Sequence, residues 1–174
     1  WINRNPKRIY EYWETLYHPH RQLILKVLND FYPFASLLEI GCGCGMNLKN
    51  IHTKFPNVHL AGIDINKFAV LKAREYLPDI NFVKAPSYQI PFADKTFDII
   101  LTDAVLQYLE LDKVRPTIEE LFRVAKKNLI LVELDGESKI GELYLGYWFR
   151  NYVKLLEEYK VKVYKQKIPE KISS

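Results

Sequence analysis

Glu39, the glycines at 41, 43 and 45, and Asp64 are the residues of this chain whose types and spacing point to chemistry. The segment Leu37-Leu38-Glu39-Ile40-Gly41-Cys42-Gly43-Cys44-Gly45-Met46-Asn47-Leu48 runs from an apolar stretch of strand length, through the glycines, into a helical pattern. Glycine lets the backbone take positive φ and lets a ligand approach where a Cβ would stand in the way. The helix that opens beyond such a turn presents unpaired N–H groups and a partial positive charge. This is a nucleotide-type binding turn. A plain strand-to-helix turn is the alternative, but it needs fewer than three glycines in five residues. Spacing then narrows the ligand. A dinucleotide fingerprint requires glycine at the first, third and sixth places, and Met46 holds the sixth, which disfavours an NAD-dependent oxidoreductase. A phosphate loop requires Gly-Lys-Ser/Thr, and Gly45 is followed by Met46-Asn47.

What remains, acidic-x-Gly-x-Gly-x-Gly, resembles motif I of the class I S-adenosylmethionine-dependent methyltransferases. Glu39 fills the acidic place, and the ligand implied carries a cationic amino group and a sulfonium. Further matches follow in the family's order. Val58-His59-Leu60-Ala61-Gly62-Ile63-Asp64-Ile65-Asn66 reads as a second strand ending in a carboxylate. The resemblance assigns Asp64 to the two ribose hydroxyls, and a carboxylate can accept the pair of hydrogen bonds that a vicinal diol offers. Ile80-Asn81-Phe82-Val83-Lys84, Ile90-Pro91-Phe92, Phe97-Asp98-Ile99-Ile100 and Thr102-Asp103-Ala104-Val105-Leu106 are similar to the later motifs. Together the matches cover about residues 37–134. The resemblance implies S-adenosylmethionine as cofactor, held by Glu39, Gly41, Cys42, Gly43, Gly45 and Asn47 of the first turn, with Asp64, Ile65, Ser87 and Asp103. Many relatives place an acidic residue after the third strand for the adenine amine. Pro86 and Ser87 stand there, so adenine recognition would rest on the Ser87 hydroxyl, backbone groups and apolar walls. Family contacts at the place of Asp103 are often backbone groups, which would leave its carboxylate facing water.

The elements that must position these residues form an alternation. Strands are expected near 37–41, 58–63, 80–84, 97–102 and 128–134, and helices over 47–55, 66–77 and 112–125. Continuous apolar runs such as Leu129-Ile130-Leu131-Val132 suit strands covered on both faces. The fold class is α/β: a doubly wound, mostly parallel sheet with helices on both faces. A first helix is expected from Pro6 to about Tyr17. A second starts after His18 with Pro19 in its first turn, placing Leu23, Ile24, Val27, Leu28 and Phe31 on one face. A late helix near 147–158 and an alternating strand, Val161-Lys162-Val163-Tyr164-Lys165, complete the pattern. The family usually adds one antiparallel strand, for which nothing after Pro169 suffices; a cut chain or a shortened sheet would explain it. The expected organisation is a single methyltransferase domain over 1–174, with a helical lid over 1–33 and an α/β core over 37–174.

Composition fits that picture. A chain of 174 residues can bury one sizeable core. Hydrophobic content of 48% beside 26% charged residues is ordinary for a globular protein. No apolar run approaches the roughly 20 residues of a membrane span. Cys42 and Cys44 lie too close for an unstrained disulfide, and without a second pair they do not make a zinc site. Reduced thiols in a cytoplasmic protein are the expectation, and no metal is expected. Net charge is only +4. The lysines at 160, 162, 165, 167 and 171 read as a solvated edge rather than a nucleic-acid site.

Ligands of such sheets bind outside the carboxyl ends of the strands, where strand order reverses. Methyl transfer is in-line displacement, and alignment of two reactants contributes on the order of 7–11 kcal/mol. A general base adds roughly 10²–10⁴-fold where the acceptor must lose a proton. His20, Arg21 and Glu133 are the candidates for catalysis: His20 as base, Arg21 holding an anionic acceptor or the methionine carboxylate, Glu133 as second base or amine-binding carboxylate. Each has a plain alternative, a surface turn for His18, His20 and Arg21 and a solvated strand end for Glu133. Tyr10-Glu11-Tyr12-Trp13, Tyr17-His18-Pro19-His20-Arg21, Gln107, Tyr108 and Trp148 are candidate walls; Met46, Leu48 and Ile51 are core, and His52 and His59 structural. The motifs of amino-directed nucleic-acid and protein-arginine methyltransferases are absent. A small-molecule, sugar or sugar-nucleotide acceptor is therefore the preferred class. The alternative is a non-catalytic S-adenosylmethionine-binding sensor or partner subunit. Oligomeric state is left open.

Overall fold

The computed structural model describes residues 15–134, 143–144 and 147–168. Strands β1 (Ser36–Ile40), β2 (His59–Asp64), β3 (Asn81–Lys84), β4 (Phe97–Asp103) and β5 (Ala125–Val132) form one sheet in the order β3-β2-β1-β4-β5. Every neighbouring pair is parallel. Parallel neighbours require crossovers, supplied here by helices α2 (Met46–Lys54), α3 (Lys67–Tyr76) and α4 (Leu111–Val124), and between β3 and β4 by the irregular segment 85–96. Helix α1 (Pro19–Asp30) precedes the first strand.

Alternation along the buried strands sends neighbouring side chains to two different cores. Leu37, Ile99 and Leu101 pack with Ile24 and Leu28 of α1, Leu48 and Ile51 of α2, and Val70 and Ala73 of α3. Leu38, Ile40, Ile63 and Ile100 face the other way, against Leu121 and Val124 of α4 and Ile90 of the 85–96 segment. The α4 sequence explains its place: Val114, Thr117, Ile118, Leu121 and Val124 recur at three- and four-residue spacing and are buried. The irregular segment is pinned to α4 by Arg123, whose guanidinium donates to the carbonyls of Ile90 and Phe92 and pairs with Asp94 and Glu120.

Register brings the strand ends level. Ile40 lies opposite Ile63 on one side and Thr102 on the other. One residue further on, Gly41 is therefore flanked by Asp64 and Asp103. Asp103 in turn lies opposite Val132, the residue before Glu133. Strand order reverses at β1 and β4, so these acidic ends gather at the switch point.

Boundaries of the Rossmann-like core agree with expectation to within about three residues. The outer parts differ. Of the expected helix ending at Tyr17, only Thr15–Tyr17 is described, as a 3-10 turn; Tyr10 to Trp13 lie outside the described residues. Helix α1 packs into the main core through Ile24 and Leu28, and its first turn sets His20 and Arg21 against Asp103 at the end of β4. Phe31, expected on its apolar face, follows the helix as its C-cap and is exposed. The late helix is shorter than expected. A two-residue antiparallel pair, β6 (Leu143–Tyr144) with β7 (Tyr147–Trp148), occupies its anticipated start. Helix α5 (Tyr152–Glu157) begins only after Asn151, whose side chain caps the Lys154 amide. Val161–Lys165 is not a strand. Its alternation finds no backbone ladder among the described residues, and only Val163 packs, against the Val114–Ile118–Leu156 cluster. Among the described residues no antiparallel strand joins the main sheet, and no helix is long and apolar enough to cross a membrane.

Candidate active site

The glycine turn is left-handed at all three glycines, with φ of 67° at Gly41, 54° at Gly43 and 83° at Gly45. Asp64 locks it. One carboxylate oxygen accepts from the Gly43 amide at 2.9 Å, the other from the Asn66 amide at 2.7 Å. Asn66 then caps α3, its Oδ1 accepting from the amides of Phe68 and Ala69. Turn, second strand and third helix are thus tied through one buried carboxylate. Gly45 has a different task. A Cβ there would stand 2.9 Å from Leu77 and 3.0 Å from Phe82, so this glycine lets α2 start against β3 and α3.

Asn47 is the hub beside the turn. Its Oδ1 accepts from Arg21 Nη1 at 2.6 Å, while its Nδ2 donates to Glu39 Oε1 at 2.7 Å and to Asp103 Oδ2 at 2.9 Å. The amide orientation follows from those partners: the oxygen must meet the guanidinium and the nitrogen the two carboxylates. Asp103 also accepts from His20 Nε2 at 3.0 Å and lies 3.6 Å from Arg21 Nη1. Its carboxylate does not face water as anticipated. Burial raises its pKa, but the hydrogen bonds from His20 and Asn47 with the charges of His20 and Arg21 outweigh this and hold it below the usual range.

Glu39 is the opposite case. It is 2% exposed, and its Oε2 has no partner among the described residues. Burial, reinforced by Asp103 and Asp64 and opposed by Asn47 and Arg21, pushes its pKa up to about 8. An orphaned, buried carboxylate oxygen beside a left-handed glycine turn fits a cationic donor.

Glu133 is not a solvated strand end. Its carboxylate accepts from the Thr102 hydroxyl at 2.8 Å and from the amides of Val105, Leu106 and Gln107 at 3.0–3.4 Å. It thereby holds the 3-10 turn Leu106–Tyr108 behind Ala104, a non-glycine residue at φ 55°. Burial raises its pKa to about 7 against those hydrogen bonds.

The folded carboxyls of Glu39 and Glu133 bind protons more tightly than the ordinary 4.5 of an unfolded chain. Stability should therefore fall as pH rises from about 4.5 to about 8, with the Glu133 share complete near 7. Asp103 acts with the opposite sign, but only near and below its ordinary 3.8. Glu39→Gln should flatten the decline between pH 5 and 8 and leave the mutant the more stable protein at pH 8. Melting temperatures across that range check it; an unchanged slope would mean that Glu39 is ionised throughout.

One depression runs over these residues. His20, Arg21, Glu39, Gly41, Cys42, Gly43, Asn47, Asp64, Ile65, Ser87, Asp103 and Glu133 all line it; of the expected site residues only Gly45 does not. Ser87 is paired with Thr117 of α4, hydroxyl to hydroxyl at 3.0 Å. Both thiols are buried, and burial drives the Cys44 pKa to about 12 and that of Cys42 well up, so neither is reactive. His52 and His59 lie off the depression, whereas Gln107 and Tyr108 line it. Two further residues line it: His18, from the segment expected to wall the acceptor pocket, and Tyr88, which was not foreseen there. His18 stands with His20, and Tyr88 offers a half-exposed ring with Lys113 Nζ 5.3 Å from its centroid. For Tyr88 the signal was its position just past the third strand. The turn into α1 brings the rings of His18 and His20 into contact, with centroids 4.6 Å apart.

Comparisons with known proteins agree with this geometry. Residues 37–128 match the family described as methyltransferase domain. The malonyl-[acyl-carrier protein] O-methyltransferase of Bacillus anthracis is 25% identical over 64% of this chain and 41% of its own length. The trans-aconitate 2-methyltransferase of Deinococcus radiodurans is 26% identical over 60% of this chain and 39% of its own. The chain thus spans well under two thirds of either relative. A crystal structure of an S-adenosylmethionine-dependent methyltransferase from Aquifex aeolicus superposes with a TM-score of 0.70 over 94% of this chain and 92% of that one, at 23% identity. The family match covers more than half of the chain, on the strands and glycine turn that carry motif I. On these grounds the chain belongs to the class I S-adenosylmethionine-dependent methyltransferases.

Proposed function

We propose that this chain transfers a methyl group from S-adenosylmethionine to a small-molecule, sugar or sugar-nucleotide acceptor. The observation that carries this reading is the set of buried carboxylates around the glycine turn, with Glu39 Oε2 unpartnered. A pyrophosphate would be repelled there; a ligand with an ammonium and a ribose diol would be matched. Glu39 would take the ammonium. Asp64 would take the ribose hydroxyls, since an ionised carboxylate has about four acceptor sites. Gly41, Cys42 and Gly43 would line the methionyl part, Ile65 and Ser87 the adenosyl part, and Asn47 with Arg21 the carboxylate end. The cofactor supplies an already activated methyl group, so the chain's own residues orient the acceptor, exclude water and take up a proton. Relatives named for trans-aconitate and for malonyl-[acyl-carrier protein] support a metabolite-sized acceptor group.

Calorimetry tests the reading at its root. S-adenosylmethionine and S-adenosylhomocysteine should both bind and NAD should not. NAD binding without either adenosyl ligand would overturn it. Methyl transfer from labelled S-adenosylmethionine to a panel of hydroxylated metabolites and sugar nucleotides then tests the acceptor class.

A further inference from the structure

Glu39, Asp64 and Asp103 crowd the glycine turn, and the protein divides its donors among them unequally. Asp64 accepts from the amides of Gly43 and Asn66 at 2.9 and 2.7 Å. Asp103 accepts from His20 Nε2 and Asn47 Nδ2, with the Arg21 guanidinium 3.6 Å away. Among the described residues Glu39 receives one donor, Asn47 Nδ2 on its Oε1 at 2.7 Å. Its Oε2 receives none, although the residue is 2% exposed and lines the depression.

A charge on Glu39 would be costly in these surroundings. Burial with a single donor disfavours the ionised form, and like charges beside it disfavour it further. Asp103 of β4 and Asp64 of β2 supply that repulsion, against which stands the Arg21 guanidinium of α1. Arg21 is itself engaged with the Asn47 oxygen on α2 and lies close to Asp103. The Cys42 thiol of the turn is held neutral and offers no compensation. Burial outweighs the rest, and the carboxyl keeps a proton up to about pH 8. Of the three acidic groups, Glu39 is therefore the one that is protonated at neutral pH in the free protein.

We infer that the ammonium of the adenosyl ligand displaces a proton from Glu39, so that cofactor binding releases a proton and strengthens as pH rises. This rests on the proposed placement of the ammonium at Glu39. The carboxyl O–H bond breaks, its electron pair stays on the carboxylate, and the proton leaves to solvent. The carboxylate then accepts from the ligand's N–H, and Oε2 gains the donor that the protein does not provide. No covalent bond to the ligand forms. The ligand selects the ionised form of Glu39, which becomes more abundant with pH. Affinity therefore climbs towards about pH 8 and levels off above it. A ligand without an ammonium leaves Glu39 protonated.

Calorimetry of the full chain with S-adenosylhomocysteine, in buffers of different ionisation enthalpy, counts the protons released. At about pH 6.5 the count should be close to one per ligand bound, and it should halve near pH 8. Association should strengthen nearly tenfold per pH unit between about pH 6 and 7.5. Methylthioadenosine, which keeps the adenosyl part and lacks the ammonium, should release no proton and show no such rise. Glu39→Gln should bind S-adenosylhomocysteine without the release, and roughly ten- to hundredfold more weakly at about pH 8. Infrared spectra at about pH 6.5 check the free state: the carbonyl band of a protonated carboxyl should weaken in Glu39→Gln, and in the wild type when S-adenosylhomocysteine binds. Should Glu39→Gln bind too weakly for calorimetry, the contrast between the two ligands on the wild type decides. S-adenosylhomocysteine bound at about pH 6.5 with no proton released, or with the release intact in Glu39→Gln, would overturn the coupling and leave the methyl-transfer reading standing. Absence of binding by any adenosyl ligand at any pH would overturn that reading, and the coupling with it.

Discussion

Gly41→Val should cost about 2–5 kcal/mol of stability and abolish cofactor binding, because two separate penalties fall on one residue. The left-handed backbone at φ 67° costs an ordinary L-residue roughly 1–2 kcal/mol, and β-branching makes it worse. The new Cβ would also stand 2.3 Å from Val105 Cγ2. That neighbour cannot retreat freely, since its amide is held by both oxygens of Glu133. Overpacking of this kind costs about 1–3 kcal/mol. For a chain of this size each kcal/mol lowers Tm by about 2–4 °C. Thermal unfolding and S-adenosylhomocysteine calorimetry on the same sample provide the check. A mutant with unchanged Tm and affinity would show that the turn has another conformation open to it.

The same clash shows where sequence reasoning reaches and where it stops. Three glycines after an apolar strand announce positive φ, because no other residue adopts it without penalty. That Gly41 must also leave room for Val105, 64 positions on, depends on β1 and β4 being neighbours, and no local pattern states that pairing. Strands and helices of the core were legible because each is buried on one or both faces and writes its period into the chain. The polar network was only half legible. Glu39 stood out through motif I, Asp64 as the carboxylate ending the second strand, and His20 and Arg21 through their types. The Asn47 hub joins Arg21, Glu39 and Asp103, none within seven residues of it, and an asparagine in a first helical turn carries no sign of such partners. Glu133 was open between a base and a solvated end. Its actual occupation, four donors from the 102–107 segment, follows from the parallel register of β4 and β5. The alternation of Val161–Lys165 misled for the converse reason: a period of two specifies faces, but a strand also needs a neighbour for its backbone groups.

The second large effect is expected at Asp64. From sequence, Asp64→Ala should lose only the ribose contacts. A hydrogen bond to a charged group is worth about 1.5–3 kcal/mol, which amounts to roughly ten- to hundredfold in affinity. The structure raises that expectation, because the carboxylate also holds the amides of Gly43 and Asn66 in a site where it is itself 2% exposed. Removing it leaves two buried donors unsatisfied, at about 1–3 kcal/mol each. It also frees the glycine turn to sample conformations that its φ values would otherwise forbid. Affinity for S-adenosylhomocysteine should therefore fall by more than hundredfold, and the protein should unfold at lower denaturant concentration. Asp64→Asn separates the two contributions. Its Oδ1 can still accept one amide, so it should regain part of the stability, while its NH₂ group faces the other amide and spoils the acceptor pair that a diol requires. Calorimetry beside urea unfolding on both mutants distinguishes the cases. An alanine mutant that keeps wild-type stability and loses only affinity would return Asp64 to a ligand contact alone. One that loses stability and keeps affinity would move the ribose site elsewhere in the depression.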